Sequence, residues 1–244
     1  MKQLFSLIAL LIFVMSIAAQ RRPTPPASAE IFGLINQVSV LTIRFEPGRT
    51  HNHPLMVFWL ADDHGNYIQT LYVAESIGRG YFRRVDRSSG RWLAGAIQRP
   101  AALPFWAHQR GIKNEYGTYN PTPKNAIADA YTGATPPGAF VFHLVTEKLL
   151  KGTYNVFMEI NQSWDWNNFW HNNRFPDDPE YKTSSQPAVV YKASIDTNHP
   201  GVEIALKPIG RSHHSGKDGI LYTDLNTLTT ALNIVKSCTV TLRP

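Results

Sequence analysis

The chain has 244 residues, of which 43% are hydrophobic and six are Trp, and its formal net charge is +6. This apolar content excludes a wholly disordered chain, and the length suits one large β domain or two small ones. The Lys and Arg residues are scattered, apart from Arg83, Arg84 and Arg87, and a nucleic-acid partner is therefore not predicted.

Residues 1–19 are predicted to be a signal peptide. Lys2 provides a short basic region, residues 4–17 form an uncharged apolar run, and Ala18 and Ala19 follow as small residues at a cleavage site. The run is shorter than the ~20 residues that a spanning helix needs. Two arginines directly after it favour an uncleaved anchor as the alternative, because positive charge resists translocation. We expect a periplasmic or extracellular protein without stable membrane insertion after cleavage.

Residues 20–35 are rich in Pro and predict an extended leader, and residues 36–244 are predicted to form a single domain. Its first strand begins near Gln37, where apolar and polar side chains start to alternate with period two. Pro47 and Gly48 end that strand.

Residues 55–60 and 67–73 predict a β-hairpin. The sequence between them, Asp-Asp-His-Gly-Asn, has turn chemistry, because Gly and Asn accept a positive φ and Asp caps backbone N–H groups. His64 in this turn is predicted to be solvated rather than to bind a metal. The first strand is apolar on both faces, so we expect both faces to be largely buried and Trp59 to lie in the core.

The region 78–128 is predicted to be irregular, with one short helix within residues 101–111 that ends at Gly111. A connection of this length in a compact domain either carries function or supports a core.

Short alternating segments separated by Gly and Pro turns follow. They predict strands at residues 140–145, 152–160, 188–195, 202–206 and 232–242. With little helix signal, this pattern is typical of an all-β fold, and we predict an immunoglobulin-like β-sandwich of at least seven strands with long loops and one short helix. Cys238 is the only cysteine, so it has no disulfide partner in the chain and is predicted to be a small buried side chain.

Residues 161–181 predict an aromatic and polar loop. Trp164, Trp166, Phe169 and Trp170 form either a surface that stacks on sugars or a cover over one end of the sandwich core. Asp177, Asp178 and Glu180 follow with a spacing that fits no dedicated calcium loop.

His213 and His214 lie in a polar turn and are the candidate metal ligands of the chain. Adjacent histidines reach one ion only if the backbone bends sharply, so solvated or capping side chains are the preferred interpretation. Ser215 follows them, and the Gly-x-Ser-x-Gly pattern of a nucleophile is absent from this segment.

Residues 53–73, 129–138 and 151–160 resemble a family of periplasmic bacterial proteins that is catalogued as a domain of unknown function. Its members are found beside PepSY-type membrane proteins and FMN transferases. The resemblance covers most of residues 53–160 and implies a sandwich fold, which agrees with the strand pattern.

The segment from Asp129 to Thr135, with Thr132, Gly133 and Ala134, is similar to the acceptor motif of extracytoplasmic FMN transferases. This similarity implies FMN joined to Thr135 through a phosphoester, a loop held by Asp129 and Thr132, and a redox protein of the envelope or membrane as partner. The alternative is a structural turn before the strand at 140–145, favoured by two prolines that directly follow Thr135.

Three functions are therefore open. The first is a non-catalytic exported accessory protein of the envelope that binds a partner. The second is an extracytoplasmic redox carrier with covalent FMN at Thr135, and the third is a carbohydrate-binding module that uses the loop at 161–181. No arrangement of residues in the sequence predicts an enzyme.

Overall fold

The computed structural model describes residues 38–86, 89–91, 93–127 and 130–244. The predicted signal peptide at 1–19, the leader at 20–35 and Asp129 lie outside the described residues. None of the helices in the described ranges has the length and apolar character that a membrane crossing requires.

The described part of the chain is built mainly from β-strands, so the predicted all-β class is confirmed. The strands are β1 Val40–Pro47, β2 Leu55–Asp62, β3 Tyr67–Ala74, β4 Tyr81–Asp86, β5 Leu93–Ala96, β6 Tyr131–Gly133, β7 Phe140–Val145, β8 Thr153–Asn161, β9 Val189–Asp196, β10 Glu203–Ala205, β11 Lys207–Arg211 and β12 Val235–Leu242. The helices are α1 Glu75–Arg79, α2 Pro104–Arg110 and α3 Tyr181–Ser184, with one 3₁₀ turn at Ala231–Asn233.

Two of the three sheets form the sandwich. One sheet has the order β10-β12-β1-β7 and the other has the order β11-β9-β8-β2-β3-β6, while β4 and β5 pair separately. The strand pairs are antiparallel except β3 and β6, which run parallel. The described strands meet the predicted minimum of seven, and three short helices are present in the described ranges where one was predicted. The strand order does not by itself establish an immunoglobulin-like topology.

The inner core lies between the two large sheets. Leu41, Ile43 and Phe45 of β1 point into it, as their period-two alternation predicts, and Cys238 of β12 lies beside them as a buried free thiol. Burial raises the pKa of the Cys238 thiol to about 12. The prediction of a small buried side chain at this position is confirmed.

A second core covers the outer face of the six-stranded sheet. Along β2, Phe58 faces the inner core, whereas Val57 and Trp59 face the outer core with Phe105 and Trp106 of α2. The strand is therefore buried on both faces, as its continuous apolar sequence predicts. The long connection between β5 and β6 supplies the cover, so it supports a core.

Helix α2 ends where the sequence predicts. Pro104 occupies its first turn, where a missing N–H costs nothing, and Gly111 caps its C-terminus with φ 70°. The Gly111 N–H donates to the carbonyl oxygen of His108 at 2.9 Å. The local start and stop signals thus set the bounds of this helix.

The predicted hairpin is confirmed as β2 and β3. Its turn is held by Asp62, whose carboxylate accepts the backbone N–H and the side-chain amide of Asn66, each at 2.8 Å, and Gly65 adopts φ 91°. His64 is exposed and lies 3.7 Å from Asp63, so it is solvated as expected.

The region 78–128 differs from the prediction of an irregular segment, because it contains the β4–β5 pair. The predicted strand at 202–206 is also followed by β11, which joins the other sheet.

Candidate functional site

The loop between β8 and α3 has two differently exposed parts. Trp170 and Tyr181 are buried in the inner core and close one end of the sandwich, whereas Trp164 leaves 62% of its surface in solvent. The interpretation as a cover over one end of the core therefore holds for Trp170, whereas Trp164 lies on the surface. Trp164 is the more exposed of the two surface aromatics of this loop, the other being Phe169.

The backbone at Trp164 is strained. Its φ is 58°, in the left-handed region where a bulky side chain is rare and costs roughly 1–3 kcal/mol. Its N–H donates to the Thr183 carbonyl oxygen at 3.2 Å, and the next N–H, of Asp165, donates to the Ser184 oxygen at 3.2 Å. These two hydrogen bonds hold the loop against α3, and the Trp164 indole lies outside the core.

A buried polar network fixes this loop. The carbonyl oxygen of Asp165 accepts the backbone N–H of Gln186 at 3.2 Å and its side-chain amide at 3.1 Å, and the Thr230 hydroxyl bonds to the Asp165 carboxylate. Burial raises the pKa of Asp165, although the hydrogen bonds from Thr230 and Gln186 oppose that shift. These hydrogen bonds rigidify the loop and preorganise the exposed Trp164, although the Oδ2 atom of Asp165 has no partner among the described residues.

A groove of about 560 Å³ lies beside this indole. We call it the Trp164 groove, and its lining residues are Trp164, Trp166, Asn172, Asn173 and Lys182. The Trp166 indole packs against Tyr181, with ring centroids 5.8 Å apart and planes at 70°. The Lys182 ammonium donates to the Pro176 carbonyl oxygen at 2.6 Å and keeps two further donors. The groove thus combines aromatic faces with amide groups and one fixed positive charge.

A second cavity, of about 460 Å³, is lined in part by residues 174–178, which directly follow Asn173 of the groove. We call it the histidine cleft, and its lining residues are Arg174, Phe175, Pro176, Asp177, Asp178, His213, His214 and Lys217. The sequence does not predict this cavity, because the two parts that line it are more than 30 residues apart along the chain.

The two histidines of this cleft are stacked. The His214 ring lies 4.1 Å from Phe175 at an interplanar angle of 8°, and 4.2 Å from His213 at 28°. An imidazole binds a metal in the plane of its ring at about 2.0–2.1 Å, so stacked rings do not direct their lone pairs at one ion. Among the described residues, no three His, Cys, Asp or Glu side chains form a metal-binding group.

Both imidazoles are neutral near neutral pH. Burial lowers the pKa of His213, and burial together with the charge of the neighbouring His213 lowers the pKa of His214 to about 4. The Nδ1 atom of His213 accepts the backbone N–H of Ser215 at 3.1 Å, which places the proton of the neutral ring on Nε2. That nitrogen is therefore a donor.

The positive charges of the cleft are Arg174 and Lys217. The guanidinium carbon of Arg174 lies 3.7 Å from the centroid of the Phe169 ring, and its Nη1 donates to the Phe169 carbonyl oxygen at 3.2 Å. Its Nε atom is shielded from solvent and has no hydrogen-bond partner among the described residues. Lys217 is exposed, and its ammonium lies 3.8 Å from Asp178.

Asp178, one of the three acidic residues considered with calcium in mind, holds the start of α3. Its Oδ1 accepts the backbone N–H groups of Glu180 at 3.1 Å and of Tyr181 at 3.0 Å, at the start of α3. Burial acts to raise the pKa of Asp178, but the hydrogen bond from Tyr181 and the charge of Lys217 outweigh it and hold the pKa below its usual value.

The predicted flavin-acceptor segment lies at an edge of the six-stranded sheet. Thr132 and Gly133 belong to β6, and the Gly133 carbonyl oxygen accepts a hydrogen bond from the Tyr72 hydroxyl at 3.1 Å. Thr135 follows as a half-buried residue whose hydroxyl oxygen is shielded from solvent and has no partner among the described residues. Asp129, the first residue of the motif, lies outside the described residues.

Sequence reasoning missed Glu159, which is fully buried in the centre of β8. Its Oε2 accepts the backbone N–H of Trp106 at 2.8 Å and its Oε1 accepts that of Phe105 at 3.2 Å, so it caps the start of α2. Burial raises the pKa of Glu159 to about 8, against the opposing effect of these hydrogen bonds. An acidic residue between Met158 and Ile160 in a buried strand is the signal that could have identified it.

Comparisons of the chain with models of known protein families, with curated proteins and with solved structures find no match. The function is therefore inferred from the geometry of these sites.

Proposed function

We propose that this chain is a non-catalytic, exported binding protein of the envelope whose Trp164 groove binds a carbohydrate. The observation that carries the proposal is the exposed indole of Trp164 on a strained, left-handed backbone. Strain of this kind persists only where the surroundings impose it, and it concentrates at functional sites.

The chemistry of the groove supports a saccharide as the ligand. The apolar C–H face of a sugar ring packs on an indole, while its hydroxyl groups need hydrogen-bonding partners around the ring edge. Trp164 and Trp166 supply the aromatic faces, and Asn172 and Asn173 supply amide donors and acceptors. Sites that combine apolar surface with a few placed polar groups are typical of ligand binding.

Replacing Trp164 with alanine should weaken oligosaccharide binding at least about tenfold, as expected for loss of a central aromatic contact. The measurement is isothermal titration with cellohexaose and chitohexaose, supported by the quenching of Trp fluorescence. Tyr116→Ala is the matched control, because Tyr116 is an aromatic residue with 69% of its surface exposed and does not line the groove.

Trp164→Gly separates binding from folding. Glycine adopts a positive φ without strain, which offsets its greater freedom in the unfolded chain, so the free energy of unfolding should fall by no more than about 1 kcal/mol. Binding should still be lost. Equal binding by wild type and both Trp164 variants would contradict the proposed function, as would a wild type that binds no oligosaccharide, neutral or acidic.

Covalent FMN at Thr135 is the second candidate function, favoured by aromatic rings close to this segment. Tyr131 is exposed, and the Tyr72 ring lies 5.9 Å from Tyr131 and 4.8 Å from Phe142. The Thr135 hydroxyl is shielded in the folded chain, so a transferase has to reach it before this segment packs or after it opens.

We expect purified, folded protein to gain no mass when incubated with an FMN transferase and its flavin donor, under conditions that modify a control acceptor. Intact-mass spectrometry measures the gain. Coexpression tests the function itself: one added FMN phosphoryl unit that disappears in Thr135→Ala supports it, whereas an unmodified wild type removes it. A gain on the folded protein would show that the Thr135 segment opens readily.

A further inference from the structure

The Trp164 groove and the histidine cleft adjoin. Asn172 and Asn173 line the groove, and the next residue along the chain, Arg174, lines the cleft. The Lys182 side chain lines the groove and is bonded to Pro176, which lines the cleft. A ligand that extends from the groove across this segment therefore contacts the residues of both cavities.

The charged residues that line the two cavities are three cations, Arg174, Lys182 and Lys217, and two carboxylates, Asp177 and Asp178. Asp178 is committed to Lys217 and to two backbone N–H groups at the start of α3. Arg174 contacts no carboxylate among the ion pairs of the described residues, and Lys182 is bonded to a carbonyl oxygen. Asp177, the remaining carboxylate that lines either cavity, is exposed.

The polar groups of the cleft that remain available to a ligand are hydrogen-bond donors. The Phe169 ring holds the Arg174 guanidinium plane in place; its Nε is shielded from solvent, so the Nη groups are the donors that a ligand can reach. The neutral His213 ring presents Nε2–H, because its Nδ1 is occupied by the Ser215 N–H. A planar guanidinium with fixed donors matches the two oxygens of a carboxylate.

We propose that the carbohydrate of the Trp164 groove is an acidic saccharide, and that Arg174 and Lys217 in the histidine cleft bind its carboxylate. This inference rests on the proposed function, since it specifies the ligand of the same surface. Trp164 supplies sugar stacking, and the cleft supplies selectivity for the charged sugar.

The probes are an oligogalacturonate and its methyl ester, which has the same size without the negative charges. Wild type should bind the acid at least about tenfold more tightly than the ester at low ionic strength, the gain expected of a charge-assisted hydrogen-bonded pair. The difference should shrink as salt is added, because exposed charges are screened. Isothermal titration measures both affinities.

Arg174→Gln should reduce the affinity for the acid about tenfold, to that of the ester, and Lys217→Gln should reduce it less because Lys217 is 72% exposed. Neither variant should change binding of the ester. Lys151→Gln is the matched control, since Lys151 is exposed and precedes β8, whereas the loop follows the other end of that strand. Thermal unfolding of each variant verifies the fold, and Lys217→Gln still tests the proposal if Arg174→Gln proves unstable.

Equal affinity of wild type for acid and ester overturns the proposal, as does an Arg174→Gln protein that folds and keeps the preference for the acid. Neither result affects the carbohydrate function, which depends on Trp164. Conversely, unchanged binding of the ester by Trp164→Ala overturns the proposed function, whether or not the protein binds the acid more tightly than the ester.

Discussion

Replacing Glu159 with glutamine is expected to remove a large part of the pH dependence of stability between about pH 5 and pH 8. Because burial raises the pKa of Glu159 from 4.5 to about 8, the folded chain binds this proton more tightly than the unfolded chain. Stability from this group is therefore fully present below the unfolded pKa and falls as pH rises through the folded pKa. The loss is on the order of 4 kcal/mol across the window.

The curves of unfolding free energy against pH for Glu159→Gln and wild type should consequently cross. Below about pH 5 the variant is less stable by about 1–3 kcal/mol, because its amide leaves one of two buried N–H groups unpaired. Above about pH 8 the variant is the more stable protein, since an amide has no charge to bury.

Urea unfolding followed by Trp fluorescence at about pH 5, 7 and 9 measures this crossing. Glu147→Gln is the matched control, because Glu147 is exposed and its replacement should leave the wild-type curve unchanged. Parallel curves for wild type and Glu159→Gln over this range would show that Glu159 does not carry the pH dependence.

Trp59→Ala should lower the free energy of unfolding by roughly 3–5 kcal/mol, as expected for removal of a large buried side chain. Trp59 is 1% exposed, and its ring is stacked on Phe157 with centroids 5.0 Å apart and planes at 9°. The Phe105 ring of α2 also packs against Trp59, with ring centroids 6.0 Å apart. The cavity would thus open between the sheet and the segment that covers it.

Chemical denaturation measures the loss, and Trp164→Ala is the control of the same residue type. Because Trp164 is 62% exposed, its replacement should change the free energy of unfolding by less than about 1 kcal/mol. A change of that small size for Trp59→Ala would mean that the outer face of the six-stranded sheet is not a packed core.

Local patterns explain which parts of the fold could be predicted. The β2–β3 hairpin needs only alternating side chains and a turn with Asp62 and Gly65, and α2 needs only Pro104 at its start and Gly111 at its end. These signals act over a few residues, so they can be read without knowing what packs against them. The strand β6 has three residues and pairs with β3 across more than 50 residues of chain, and no local pattern marks it.

The candidate sites were predicted less completely, because their members come from distant parts of the chain. The aromatic loop was identified from its composition, but the exposure of Trp164 and the burial of Trp170 follow from how the loop is tied to Thr183 and Thr230. The pairing of His214 with Phe175 likewise depends on β9 and β11 bringing two loops together.

Side-chain period and turn or cap residues are enough to specify the all-β class, the hairpin, the bounds of α2 and the burial of Trp59 and Cys238. The environment of Glu159, in contrast, depends on the tertiary structure. A carboxylate in a strand is exposed or buried according to what covers that face, and here the cover comes from Phe105 and Trp106, more than 50 residues earlier in the chain. Desolvation and charge are properties of the assembled surroundings, and the same residue types in the same order do not specify them.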